Sequence, residues 1–411
     1  MHSLSSPATL AGLKVVELSE FIAGPYCGML LAGLGADVVK VENPNAGDET
    51  RRYGPFPGDI PDPETSGLFT YLNRGKRGIT LDIKVKTGRK LLLELIERAD
   101  VLIESMPPAV AADLQLDYPS LHKVNSNLVV TSITPFGQTG PYRDFKGYAI
   151  NCSALGGMSL TMGEPGREPL APPLSMGHYQ AGIVGGIGTM FALLARPKIG
   201  RGQQVDAAET DAWAISHTGN VVSSFVYHGS KRIRAGHRTP GPYPMTILPC
   251  KDGYVYLVAL QGAQWKRFLD IVGDGKIPDW YASDPRFADR RIAGNQYADE
   301  LDALLAPWLM SHTKAEIFAL CRQSHVPFAP VRDMAEVTDD LHLNERQYFA
   351  ELDMKRGGGY KCPGPPFRFS RTSWSLGRTA PHLGEHNEDV YVGELGYSRE
   401  ILLKLRRSNI I

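Results

Sequence analysis

Among the side chains of this sequence, His178 has the type and setting best suited to chemistry. It stands in the run Pro173-Leu174-Ser175-Met176-Gly177-His178-Tyr179-Gln180-Ala181-Gly182, directly ahead of an apolar, helix-forming stretch. Imidazole titrates near neutrality, so this residue can take up and return a proton at physiological pH; the plainer alternative is a polar residue beside a helix start. Glu164 and Glu168, just upstream, sit in a polar turn that reads as a solvated loop. Dinucleotide binding is a second chemistry to weigh, because Glu42 ends an apolar strand about twenty residues beyond a glycine turn. That turn reads Gly24-Pro25-Tyr26-Cys27-Gly28 and lacks the G-x-G-x-x-G spacing, which sets NAD aside. Lys231-Arg232-Ile233-Arg234 with His237 and Arg238 reads as a connector, a phosphate site being the alternative, and Gly357-Gly358-Gly359 as a hairpin turn. The five cysteines (Cys27, Cys152, Cys250, Cys321, Cys362) are scattered without paired metal spacing, so no metal site is expected and the thiols read as those of a reduced, cytoplasmic protein.

The elements that must position these residues follow from the apolar pattern. Lys14 to Leu18 and Asp37 to Val41 read as buried strands flanking a helix that starts at Pro25, a parallel βαβ unit. The pattern recurs with strand Ile79 to Ile83, a helix from Gly88 to Ala99 carrying Leu91, Leu92, Leu95 and Ile96 on one face, and strand Val101 to Glu104. Leu128 to Ile133 is a further strand and Gly182 to Arg196 a helix. After Val226 the composition shifts, and a strand at Tyr254 to Ala259 with helices near Gln264–Val272, Ala298–Met310 and Lys314–Ser324 reads as a second, smaller domain. The expected division begins with 1–225 and 226–331. A chain of 411 residues with 44 basic and 44 acidic side chains shows no electrostatic footprint for nucleic acid. Neither a signal peptide nor a membrane span is visible in the pattern, so the expectation is a soluble, cytoplasmic protein.

A series of short segments then adds a resemblance. Val15-Val16-Glu17-Leu18, Ala23-Gly24-Pro25, Leu34-Gly35-Ala36-Asp37-Val38-Val39-Lys40-Val41-Glu42, Asn73-Arg74-Gly75-Lys76-Arg77, Leu81-Asp82-Ile83-Lys84 and Phe136-Gly137-Gln138-Thr139-Gly140-Pro141-Tyr142 occur in that order. They are followed by the His178 segment, Asp284-Pro285-Arg286-Phe287, Pro327-Phe328-Ala329-Pro330-Val331 and Leu383-Gly384-Glu385-His386. Together they resemble the family III CoA-transferases of the CaiB/BaiF type nearly end to end. The resemblance implies an α/β fold with a Rossmann-like large domain and a smaller α+β domain, a return of the chain to the large domain over 332–411, two chains interlocked as rings, and coenzyme A as substrate with no permanently bound cofactor. It also implies CoA contacts at Ala23, Leu81, Asp82, Ile83, Lys84, Ser105, Met106 and Lys146.

At position 178 the resemblance implies an aspartate. In the family that carboxylate attacks the acyl-CoA carbonyl, and the released CoA thiolate then attacks the resulting anhydride to leave an enzyme thioester. Imidazole offers no carbonyl carbon for that second step. Neighbouring departures accompany it: Ile22 stands for a glutamine, Ala149 for a second carboxylate, and Tyr148-Ala149 for the His-Asp pair of the racemase branch. Asn43 and Asp113 stand where formyl-CoA-type relatives carry arginines. The expectation is therefore the non-catalytic subunit of a two-chain CoA-transferase. Its partner is a homologue retaining the aspartate, and its substrates are an acyl-CoA such as succinyl-CoA and a carboxylic acid such as an aryl- or alkyl-succinate. The alternatives are a self-sufficient acyl-CoA lyase, racemase or dehydratase using His178 or Tyr148, or a ligand-binding homologue without turnover.

Overall fold

The computed structural model describes residues 8–215, 219–354, 358–374 and 377–411. They divide into two units: the first takes in the chain up to Ser159 with Ala171–Ser230 and Glu345–Ile411, the second Leu160–Leu170 and Lys231–Asn344. In the first unit the chain runs β1 (Lys14–Leu18), α1 (Ala23–Gly33), β2 (Asp37–Glu42), α2 (Gly67–Asn73), β3 (Arg77–Thr80), α3 (Lys86–Glu97) and β4 (Val101–Glu104). It continues with α4 (Pro108–Asp113), α5 (Tyr118–Val124), β5 (Val129–Thr134), α6 (Ala149–Leu155), α7 (Met176–Ile199), β6 (Gln204–Ala208) and α8 (Glu209–Trp213).

All six strands are parallel, in the order β3-β2-β1-β4-β5-β6. A parallel sheet is covered on both faces, which is why β5 is buried along its whole length in spite of its threonines and serine. On one face Leu91, Leu92, Leu95 and Ile96 of α3 pack on Val16, Val39 and Ile79; on the other Cys27, Leu31 and Ala181 of α1 and α7 pack on Val15, Val38 and Ile133. Close approach of α7 to α1 depends on Gly182, where a Cβ would lie 2.6 Å from the Ala23 carbonyl oxygen. The strand order reverses between β1 and β4, so the carboxyl ends of these two strands open a crevice between them.

The α/β expectation holds for this unit, with shifted boundaries. The strand expected at Ile79 to Ile83 runs Arg77–Thr80, and the helix expected from Gly182 begins at Met176, which brings His178 into its first turn. Strand β6 was not anticipated: as the sheet's edge strand it is only partly buried, and its sequence carries too few apolar residues to announce it. Leu383 to His386 serves the fold, since Gly78 N–H donates to His386 Nδ1 at 3.1 Å along the opposite edge.

The second unit carries β7 (Met245–Cys250), β8 (Gly253–Val258) and β9 (Ala329–Val331) in an antiparallel sheet. Trp265, Phe268, Leu305 and Ile317 from the helices of this unit share its core. It differs from the expected 226–331 at both ends. Residues 160–170 join it because Gly236 N–H donates to the Gly163 carbonyl, and the chain stays with it past Val331 because Lys314 pairs with Glu336 at 2.5 Å. The hairpin expected around Gly357 is flanked by Phe349–Met354 and Gly358–Pro363, which pair antiparallel, while residues 355–357 lie outside the described residues. All five cysteines are buried and unbridged. Among the described residues no helix is long and apolar enough to cross a membrane.

Candidate active site

Two adjoining cavities occupy the crevice between the ends of β1 and β4, sharing Glu20 and Ser105 in their walls. The smaller, about 230 Å³, is enclosed by Phe21, Ile22 and Ala23 at the start of α1, by Tyr148 before α6, and by His178 and Glu209 at the starts of α7 and α8. The larger, about 360 Å³, is walled by Leu81, Asp82, Ile83, Lys84, Ser105 and Met106.

His178 is held on two sides. Its Nδ1 lies 2.6 Å from Glu209 Oε2, and its ring meets Phe21 edge-on with centroids 5.3 Å apart. With Glu209 as the acceptor, Nδ1 carries the hydrogen, and in the neutral ring Nε2 keeps its lone pair. Among the described residues Nε2 has no partner, and Glu209 Oε1 is buried without one. Gly177 makes room for this carboxylate: a Cβ there would lie 2.1 Å from Glu209 Oε1. The backbone around the pair is strained, with Phe21 at φ 67°, Leu174 at 56° and Ser175 at 54°, a region that side-chain-bearing residues occupy only where their surroundings force it.

A separate ionic cluster fixes Phe21. Lys40 Nζ stands 3.0 Å from Glu17 Oε1 and 2.7 Å from Asp48 Oδ2, while Lys76 Nζ stands 2.7 Å from Glu17 Oε2, all of them buried. Asp48 Oδ1 accepts hydrogen bonds from Thr50 and from the Phe21 N–H. Burial opposes the Lys40 charge, but Asp48 and Glu17 outweigh it and hold its pKa above the usual lysine range; burial lowers Lys76 to about 8. Glu20, on the rim shared by the two cavities, is shifted upward by burial and by the neighbouring Asp48.

Glu104, at the end of β4, holds the loop that both cavities share: its Oε2 accepts the Met106 N–H at 2.7 Å. Burial pushes its carboxyl up to about 7, against the opposing hydrogen bonds from Ser132 and Met106.

The residues expected from sequence distribute unevenly. Ala23, Ile22, Tyr148 and His178 meet in the smaller cavity, and Leu81 through Lys84 with Ser105, Met106 and Asn43 in the larger. Lys146 is exposed and lines neither, Asp113 is exposed at the end of α4 beside the larger one, and Ala149 begins α6 just behind Tyr148. Glu164 belongs to the second unit, 3.9 Å from His237. Arg238 pairs with Asp299 at 2.6 Å and with Asp302, so its charge is already matched within that unit. Sequence reading missed Glu209 and Glu104. For Glu104 the available signal was position, at the carboxyl end of a strand, where open α/β sheets bind their ligands; Glu209 follows a strand that the sequence does not announce.

Comparison with known proteins shows the family. A family model described as CoA-transferase family III matches residues 10–387. Succinate--glutarate CoA-transferase of Agrobacterium fabrum is 33% identical over 93% of this chain and 94% of its own length. Succinyl-CoA:(R)-benzylsuccinate CoA-transferase subunit BbsE of Thauera aromatica is likewise 33% identical, over 93% of each chain. The crystal structure of a CAIB/BAIF family protein from Brucella suis superposes with a TM-score of 0.83 at 32% identity, covering 95% of this chain and 99% of that one. The chain therefore belongs to CoA-transferase family III.

Proposed function

We propose that this chain is one subunit of a two-chain CoA-transferase moving CoA between an acyl-CoA and a carboxylic acid, and that a homologous chain bearing an aspartate supplies the nucleophile. The observation that carries this reading is His178 at the first turn of α7, facing the smaller cavity and tied to Glu209. An imidazole there offers no carbonyl carbon to the CoA thiolate, so it cannot form the enzyme–CoA thioester that the transfer requires. Charge supports it as well: Glu20, Glu49 and Glu209 line the cavity, with no lysine or arginine in its walls among the described residues. Such a lining disfavours a dicarboxylate, so a succinyl donor and a succinate-type acceptor are handled in the partner's site. That BbsE is by name a subunit supports a two-chain assembly. So does the α7 surface, where Ile187, Phe191 and Leu194 are exposed along an apolar groove of about 510 Å³.

Co-expression tests the reading. With a homologue that carries aspartate after the glycine corresponding to Gly177, native mass spectrometry is expected to show a mixed complex, with CoA transfer only when both chains are present. A monodisperse homodimer that ignores such a homologue and transfers CoA by itself overturns it.

A further inference from the structure

The His178–Glu209 pair has the form of a general base, and a subunit whose only task was to support its partner would have no use for it. We infer that this chain hydrolyses acyl-CoA thioesters carrying small, uncharged acyl groups, with His178 as general base and Glu209 as its positioning residue. The inference uses the acyl-CoA class from family membership and does not depend on any partner chain.

Three observations carry it. The Nδ1 contact to Glu209 at 2.6 Å leaves Nε2 as the nitrogen with a free lone pair, and no described residue occupies it. His178 lines a cavity whose other walls include Ile22, Ala23, Ile133 and Ala181, which suit an apolar acyl group. Phe21, Leu174 and Ser175, three of the nine described non-glycine residues with a left-handed backbone, adjoin this side chain, and such strain persists where it serves a site.

The chemistry is balanced without a co-reactant other than water. Water attacks the thioester carbonyl carbon as Nε2 accepts one of its protons. The carbonyl π electrons move to oxygen. Collapse of the tetrahedral species breaks the C–S bond, and His178 returns the proton to the departing thiolate, giving a carboxylic acid and free CoA. The start of α1, at Ala23, reaches this cavity with no acidic residue in its first turn, so the positive end of that helix favours the transient oxyanion.

Abstraction of an α-proton by the same base is less suited to the site. A thioester α-proton is many orders of magnitude less acidic than imidazolium, so imidazole is a poor base for removing it. The three carboxylates select against acyl groups that bear a negative charge of their own.

The test is release of free CoA thiol, read with a thiol-reactive dye, by the full-length chain in the assembly in which it purifies. If that assembly contains an aspartate-bearing homologue, that aspartate is first changed to asparagine. Propionyl-CoA and succinyl-CoA are the two probes. Propionyl-CoA is expected to be hydrolysed at least about tenfold faster than succinyl-CoA, and His178→Asn to lower kcat by about 10²–10⁴-fold. Glu209→Gln is expected to lower kcat with KM unchanged, because its amide can donate to Nδ1 and move the proton to Nε2. Glu209→Asp, which still accepts from Nδ1, should recover part of the loss. Thermal unfolding of each variant separates these effects from misfolding. No thiol release above the enzyme-free rate, release indifferent to His178→Asn, or succinyl-CoA cleaved as fast as propionyl-CoA overturns the inference.

Discussion

Two clusters of ionisable side chains meet at Phe21, and they differ in how completely their hydrogen-bonding capacity is used. In the Glu17–Lys40–Asp48–Lys76 cluster every carboxylate oxygen faces a cation or a donor. In the His178–Glu209 pair one carboxylate oxygen and one ring nitrogen are left over, and the ring nitrogen belongs to a side chain that walls a cavity. A fully matched cluster returns its desolvation penalty as structure and offers nothing to a ligand. An incompletely matched pair costs stability and retains reactive valences. The first group is therefore scaffold and the second is chemistry, and substitutions in the two should report on different quantities.

The largest effect is expected in the scaffold. Lys40→Met leaves Glu17 and Asp48 with uncompensated buried charge and should destabilise the chain by about 3–5 kcal/mol, read by urea denaturation. Glu104 should follow, with a pH signature. Its carboxyl is raised from an ordinary 4.5 to about 7, so its stabilising contribution is full below pH 4.5 and is lost as pH rises through 7. Glu104→Gln resembles the protonated form; at pH 8 it should be more stable than the parent by on the order of 2–3 kcal/mol, and at pH 4.5 about equal. Unfolding curves at the two pH values check this.

Gly177→Ala sharpens the comparison, because its Cβ would fall 2.1 Å from Glu209 Oε1 and force the carboxylate to shift. Overpacking of this kind typically costs about 1–3 kcal/mol, and here it should also lower thioester hydrolysis as Glu209→Gln does. The smallest stability effect is expected of Glu209→Gln itself, within about 1 kcal/mol by thermal unfolding, since the replacement keeps shape and removes a charge that is only partly matched.

Much of this arrangement was legible in the sequence. The βαβ repetition, the helix of Leu91, Leu92, Leu95 and Ile96, and the motif order anticipate the parallel sheet because each depends on local periodicity or on a resemblance. Leu81 through Lys84, Ser105 and Met106 were expected together and share a wall. What escaped is what depends on the third dimension. Glu209 follows an edge strand that does not announce itself, and only the sheet's register sets it against His178, 31 residues earlier in the chain. The beginning of α7 was likewise hidden, because Leu174 and Ser175 enter the helix through a left-handed backbone that no residue type there signals. Read alone, His178 looked like a simple loss of aspartate; beside Glu209 it is a replacement with a partner.

The claim on which the account rests is that this chain never carries CoA covalently. Incubation with succinyl-CoA, in the presence and absence of an aspartate-bearing homologue, followed by proteolysis under acidic conditions and peptide mass spectrometry, tests it directly. The account predicts that the peptide containing His178 and every other peptide of this chain remain free of a CoA thioester, while the homologue's peptide acquires one. A CoA adduct on a carboxylate of this chain, Glu209 above all, would contradict it.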